Sequence, residues 1–165
     1  MRRLALLPLA CLTLLLTLAA ACSDDSCYDN GSSLPLATIC LGTTSQSVGG
    51  LSVMGIGVPG DSLLADSATL SEIYLPLRAT STATSFAVTR RVMRGNGLVV
   101  FHDTISIGYR PIEYFHSIEC GAMYNFGITS VTTTTAAIDS VVLLTPTVTN
   151  ARTPALRIHF TDFAL

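Results

Sequence analysis

Apolar and polar residues alternate with period two along much of this chain. Phe86, Val88 and Arg90 fall on one face of an extended segment and Ala87, Thr89 and Arg91 on the other. Leu156, Ile158 and Phe160 alternate in the same way with Arg157, His159 and Thr161. From Leu34 onward the sequence is rich in Thr, Val and Ile, and its short apolar stretches are cut by Gly, Pro, Asn and Asp, the punctuation of strands. The pattern predicts strands near 35–41, 50–57, 70–78, 84–93, 97–102, 104–110, 121–130, 137–144 and 154–161. Gly95-Asn96-Gly97 between two of these runs predicts a tight hairpin, because Gly and Asn tolerate positive φ. No window after residue 22 sustains a helical period, and only residues 61–71 suggest a single helical turn. A parallel fold needs crossover helices, so this succession of short strands predicts an all-β chain. The expected architecture is a single antiparallel β-sandwich over residues 34–165, immunoglobulin-like or jelly-roll-like, of about 7–9 strands.

The N-terminal segment follows a different rule. Arg2 and Arg3 precede an uncharged apolar stretch from Leu4 to Leu18 that ends in Ala19-Ala20-Ala21, the three-part layout of a secretion signal over residues 1–21. A spanning helix needs about 20 apolar residues, and Pro8 interrupts this shorter run. Cys22 directly follows the small residues, which is the position of the lipid-carrying cysteine of a bacterial lipoprotein, although Ala19 stands where Leu is commoner. Cys11 would leave almost no apolar region before it. Residues 22–33 then form the lipidated Cys and a polar tether. Ser23, Asp24 and Asp25 are similar to the short acidic signal that routes lipoproteins of Bacteroidota to the outer face of the outer membrane. A solvated tether of Ser and Asp on a periplasm-facing anchor is the alternative. The membrane, reached through the lipid, is in either case the first expected partner.

Composition narrows the remaining classes. Without residues 1–21 the 165-residue chain has 144, enough for one domain with a core. All nine basic residues are Arg; two leave with the signal, so seven face eleven acidic residues, a net charge of about −4. The largest basic group is Arg90-Arg91-Arg94, expected as a hydrated strand end beside a turn, and nucleic acid is not an expected partner. Of the cysteines that follow Cys22, an exported protein is expected to oxidise a pair. Cys27–Cys120 would staple the tether to the body, with Cys40–Cys120 as the alternative; Cys40 lies in an apolar strand, where a thiol acts as a small hydrophobe.

Residues able to carry chemistry are scattered. His102, His116 and His159 lie far apart on or beside predicted strands and have no metal-ligand spacing, so neither a metal nor a cofactor is expected. His102 and Asp103 are neighbours and point to opposite faces. No Gly-x-Ser-x-Gly elbow occurs, so no catalytic residue is assigned. Gly49-Gly50, Gly55, Gly57 and Gly60 lack the Lys and helix of a phosphate loop and are expected to mark strand bends or close backbone approach. Glu113 and Glu119 flank Tyr114-Phe115-His116, where Tyr114 and Phe115 must point to opposite faces, so one of them is expected in the core. Asp24, Asp25 and Asp29 lack calcium-loop spacing. Asp followed by Ser or Thr and an apolar residue recurs at Asp61-Ser62-Leu63, Asp66-Ser67-Ala68, Asp103-Thr104-Ile105 and Asp139-Ser140-Val141. The pattern is similar to the O-glycosylation acceptor of exported Bacteroidota proteins, with turn-forming Asp-Ser as the alternative. It marks Ser62, Ser67, Thr104 and Ser140, of which Ser62 and Ser67 lie in the most loop-like segment.

Several short motifs together resemble a family of short Bacteroidota lipoproteins of unknown function. They are Leu75-Pro76-Leu77, Ile118-Glu119-Cys120-Gly121, Ile138-Asp139-Ser140-Val141-Val142, Pro146-Thr147-Val148-Thr149 and Leu156-Arg157-Ile158-His159-Phe160, after the lipobox and an early Cys. Cys40 and the Thr-rich stretch at 132–135 depart from that pattern. The resemblance implies an exported, anchored β domain and supplies no catalytic residues. The expected function is a non-catalytic binding or structural module of the outer envelope, with a protein or glycan partner. The alternative is an enzyme or metal-dependent hydrolase whose site assembles across strands, which a cleft gathering a histidine with a carboxylate would favour.

Overall fold

The computed structural model describes residues 33–57, 62–118 and 121–163; of His116 and Ser117 it describes the backbone. The segment 1–32 lies outside the described residues, and with it Cys22, Ser23, Asp24, Asp25 and Cys27; so does Cys120. Ten strands follow in order: β1 (Leu36–Leu41), β2 (Val48–Gly55), β3 (Leu63–Leu70), β4 (Glu72–Tyr74), β5 (Ala83–Arg94), β6 (Gly97–Ser117), β7 (Gly121–Thr133), β8 (Ile138–Leu143), β9 (Thr147–Val148) and β10 (Pro154–Phe160). They form a four-stranded sheet ordered β4-β1-β10-β8 and a six-stranded sheet ordered β3-β2-β5-β6-β7-β9. The two pack face to face as a β-sandwich.

Alternation decides what lies between the sheets. Ala37, Ile39, Leu156, Ile158 and Phe160 enter the core from the four-stranded sheet, and Leu51, Val53, Phe86, Val88, Ile105, Ile107 and Tyr109 from the six-stranded one. The Tyr109 hydroxyl, buried with its ring, donates to the Arg78 carbonyl oxygen, accepts from the Arg78 N–H and meets the Thr84 hydroxyl at 2.8 Å. It therefore ties the β4–β5 connection to the sheet.

Four expectations are corrected. The sandwich is not wholly antiparallel: β1 and β10 pair in parallel, because alternation fixes the face of a strand and not its neighbour. Residues 63–70 form edge strand β3 rather than a helical turn or loop; the Asp66-Ser67 pair, read as a loop signal, sits in a β-bulge, where both residues oppose Ser52 and Ser67 has φ 47°. The runs at 97–102 and 104–110 are parts of one 21-residue strand, β6. The strand expected at 70–78 shrinks to Glu72–Tyr74, since Pro76 has no N–H for a ladder. The hairpin at Gly95-Asn96 is present, with Arg94 paired to Gly97 and Gly95 at φ 57°. That is the φ pattern of a II′ turn, with glycine at its first central position.

Arg90 is the other departure, being buried rather than hydrated. Its Nη1 donates to the Thr161 carbonyl oxygen at 2.6 Å, and its guanidinium lies 5.5 Å from the Phe160 ring centroid and 5.1 Å from that of Phe163. Burial lowers its pKa and the neighbouring Asp162 partly restores it, without approaching neutrality near pH 7. Phe163 stacks on Phe101 at 4.5 Å and Arg94 lies 4.5 Å from its centroid, so the segment after β10 is clasped against β5 and β6. Arg90→Ala is expected to lower stability by about 2 kcal/mol in urea denaturation through loss of a charged hydrogen bond and of packing. Arg90→Met should recover most of that loss, because an apolar side chain of similar reach satisfies the site.

Candidate functional site

An open groove of about 470 Å³ is lined by Gly42, Thr43, Asp139, Ser140, His159, Phe160, Thr161 and Asp162. Strand pairing builds it. In β10 the buried residues Ile158 and Phe160 face the core, so His159 between them points outward. His159 pairs with Ser140 of β8 on one side and Cys40 of β1 on the other. Asp139 enters from β8 beside Ser140, and Asp162 from the clasped C-terminal segment.

Gly42 closes the groove. Its φ of 58° turns the chain out of β1, its N–H donates to the Phe160 carbonyl oxygen at 2.8 Å, and its own carbonyl oxygen accepts from His159 Nδ1 at 2.8 Å. With Nδ1 holding the proton, Nε2 of a neutral His159 is an acceptor. The Ser140 hydroxyl leans toward Asp139 Oδ2 at 3.4 Å. Two carboxylates, an imidazole acceptor and hydroxyls thus line one groove, a set complementary to a donor-rich ligand.

The remaining marked residues lie elsewhere. His102 is on the outer face of the six-stranded sheet, its Nδ1 at 3.1 Å from Thr89 Oγ1, so it does not converge with His159. Among the described residues no group of three His, Cys, Asp or Glu is placed to hold a metal ion. Cys40 is buried and unbonded, against the Cys40–Cys120 alternative. Tyr114 is half-buried and donates to Met123 Sδ, while Phe115 is exposed; Glu119 lies outside the described residues. Of the acceptor-like hydroxyls, Ser62 and Ser67 are exposed, whereas Thr104 is half-buried in the middle of the sheet and Ser140 half-buried in the groove. Ser67 belongs to a polar cluster across β3, β2 and β5: its Oγ accepts from Arg91 Nη1 at 3.1 Å, and Ser52 Oγ donates to Asp66 Oδ1 at 2.9 Å.

In the sequence Asp103 stands out only through its neighbours His102 and Thr104, yet it carries a dense polar network. It faces the core, 4 % exposed, and its carboxylate accepts from the N–H groups of Ala136, Ala137 and Ile138 and from the Thr134 hydroxyl, all at 2.7–3.0 Å. Burial by itself would raise its pKa; the four donors outweigh that and hold it below the ordinary carboxylate value. Its position anchors the β7–β8 connection, and so the start of the strand that carries Asp139 and Ser140.

Residues 50–160 match the family model described as a family of unknown function, DUF6452. The chain belongs to this family. The DUF6452 match runs from Gly50 in the β2 bulge to Phe160 at the end of β10; it takes in Asp139, Ser140 and His159 and stops short of Gly42 and Asp162 at the groove's two margins. No curated protein and no solved structure matches the chain.

Proposed function

We propose that this DUF6452 protein is a lipid-anchored binding module of the outer envelope that takes a hydroxyl-rich ligand, such as a glycan, in the His159 groove. The observation that carries the binding role is the groove itself, where Asp139, Asp162 and Nε2 of His159 offer acceptors to sugar hydroxyls. Its openness favours exchangeable binding over chemistry, because polar groups in contact with water are screened and reacting groups are not sequestered. The anchor rests on the signal at residues 1–21 and on Cys22, with Ser23-Asp24-Asp25 favouring the outer face of the outer membrane. In the same reading Cys27 pairs with Cys120, and Ser62 or Ser67, the exposed hydroxyls among those marked, carries a glycan.

The second reading is a hydrolase. It is favoured by the gathering of His159 with carboxylates in one cleft, where Nε2 would serve as general base.

A glycan array followed by calorimetry on the best hit distinguishes the readings. Asp139→Asn is expected to weaken binding about tenfold or more, since a hydrogen bond to a charged group contributes roughly 1.5–3 kcal/mol. Unchanged affinity would remove the groove from the function, and consumption of the glycan, followed by mass spectrometry, would establish the hydrolase instead. Intact mass of the membrane-extracted protein, compared with Cys22→Ala, tests the anchor and reports any glycan in the same spectrum.

A further inference from the structure

β6 and β7 together outrun the rest of their sheet. Its pairing with β5 ends at Gly108, and β9 reaches only Phe126 and Gly127 of β7, so Ile112–Ser117 and Gly121–Asn125 form a ribbon two strands wide. A two-stranded ribbon is marginal in water without a further surface. This one ends in exposed apolar side chains: Phe115 is 69 % and Ile118 89 % accessible, with Ile112 and Tyr124 also exposed. Exposed apolar residues clustered at one end of a domain mark a contact.

The entry point of the chain indicates which contact. Ser33, 3 % exposed, donates its hydroxyl to Asn125 Oδ1 at 2.9 Å, and Asn125 pairs with Ile112 at the base of the ribbon. The eleven residue-to-residue steps from Cys22 to Ser33 span at most about 40 Å when fully extended. A bilayer holding Cys22 therefore lies within reach of the ribbon tip, which is only about 20 Å beyond that base. At the other end of β6, Leu98 and its β5 partner Met93 are also exposed. They stand some fourteen residues of strand from Ile112, about 46 Å, farther than the tether extends.

We infer that the β6–β7 tip is a second membrane contact, in which Phe115 and Ile118 enter the boundary between headgroups and acyl chains of the bilayer to which Cys22 is anchored. This rests on the lipid-anchor reading above. Tyr124 beside them suits that boundary, where amphipathic rings collect. Glu113 on the same face makes a zwitterionic surface a better match than an anionic one. Two side chains are too little to hold the domain alone; they act because the tether keeps the tip at the surface. The contact orients the domain. The groove's C-terminal wall is fixed at the level of Phe101, eleven residues along β6 from Ile112, so the groove is held away from the bilayer.

The chain contains no Trp, so one substitution supplies a clean probe. Phe115→Trp and, as a control at the far end, Leu98→Trp are reconstituted as full-length membrane-extracted protein in phosphatidylcholine vesicles with brominated acyl chains. The proposal expects blue-shifted, quenched emission for Phe115→Trp and solvent-like, unquenched emission for Leu98→Trp. Unquenched emission from both, or quenching of Leu98→Trp alone, would overturn it. The anchor is read separately, by intact mass of the same samples. A mature chain carrying a hexahistidine in place of Cys22, held on nickel-chelating lipid, reports the tip contact whether or not the cell acylates Cys22. Quenching of its Phe115→Trp form supports the contact, and its absence there overturns it.

Discussion

Asp103→Ala is expected to remove about 4–6 kcal/mol of stability, a large share of what holds a domain of this size folded, because the buried N–H groups of Ala137 and Ile138 and the part-buried one of Ala136 lose their acceptor at roughly 1–3 kcal/mol each. Urea denaturation followed by circular dichroism measures the loss. Asp103→Asn keeps one carbonyl oxygen and should fall between the two. If the alanine variant unfolds during expression, the Asn variant still reports the effect, and full wild-type stability in it would refute the anchoring role. The same carboxylate gives the fold a pH dependence whose sign follows from its lowered pKa. A lowered native pKa means the unfolded chain binds the proton first. The stabilisation is therefore complete above the unfolded value of about 3.9 and is lost as pH falls through the native one. Acid titration of wild type against Asp103→Asn should show this share of the acid loss in the wild type alone.

Asp103 also shows where the sequence is readable and where it is not. The alternation Phe101, Asp103, Ile105, Ile107 places a carboxylate on an apolar face, and that misplaced polar residue was a visible signal of a buried, satisfied charge. Its partners were not visible, because Ala136, Ala137 and Ile138 contribute backbone N–H groups and any residues there would have them. The Thr-rich stretch at 132–135 acquires a role only in three dimensions, through the Thr134 hydroxyl. Alternation sets Arg90 on the face of Phe86 and Val88, but its neighbours Arg91 and Arg94 suggest water. What buries it is Phe163, more than seventy residues later.

The groove was legible by face and not by partner. Alternation puts His159 opposite Ile158 and Phe160, hence outside the core. Nothing local says that β10 pairs in parallel with β1, which brings Gly42 to His159, or antiparallel with β8, which brings Ser140. Strands near opposite ends of the sequence meet because each buries one face against the same opposing sheet, a global condition that a local pattern does not encode. For the same reason β6 divided into two predicted strands. His102-Asp103 interrupts the apolar run, while the backbone ladder passes through it without a break.

The glycines near residue 50 were expected to mark bends or close backbone approach, and Gly50 does both. Gly49 and Gly50 together oppose Thr69 as a bulge in β2, and Gly50 has φ 69°. A Cβ there would lie 2.3 Å from the Arg91 carbonyl oxygen, against backbone rather than a side chain that could rotate away. Gly57 has the same φ of 69° with nothing among the described residues within 4 Å of its would-be Cβ. Gly57→Ala should therefore cost only the left-handed backbone penalty, about 1–2 kcal/mol. Gly50→Ala must add the separation of β2 from β5 beside the Leu51–Arg90 pair, for a total of about 3–4 kcal/mol. The difference between the two variants in urea midpoint isolates the clash from the conformational term. Equal losses would mean that β2 and β5 do not approach this closely at Gly50, and that the bulge rather than the contact requires the glycine.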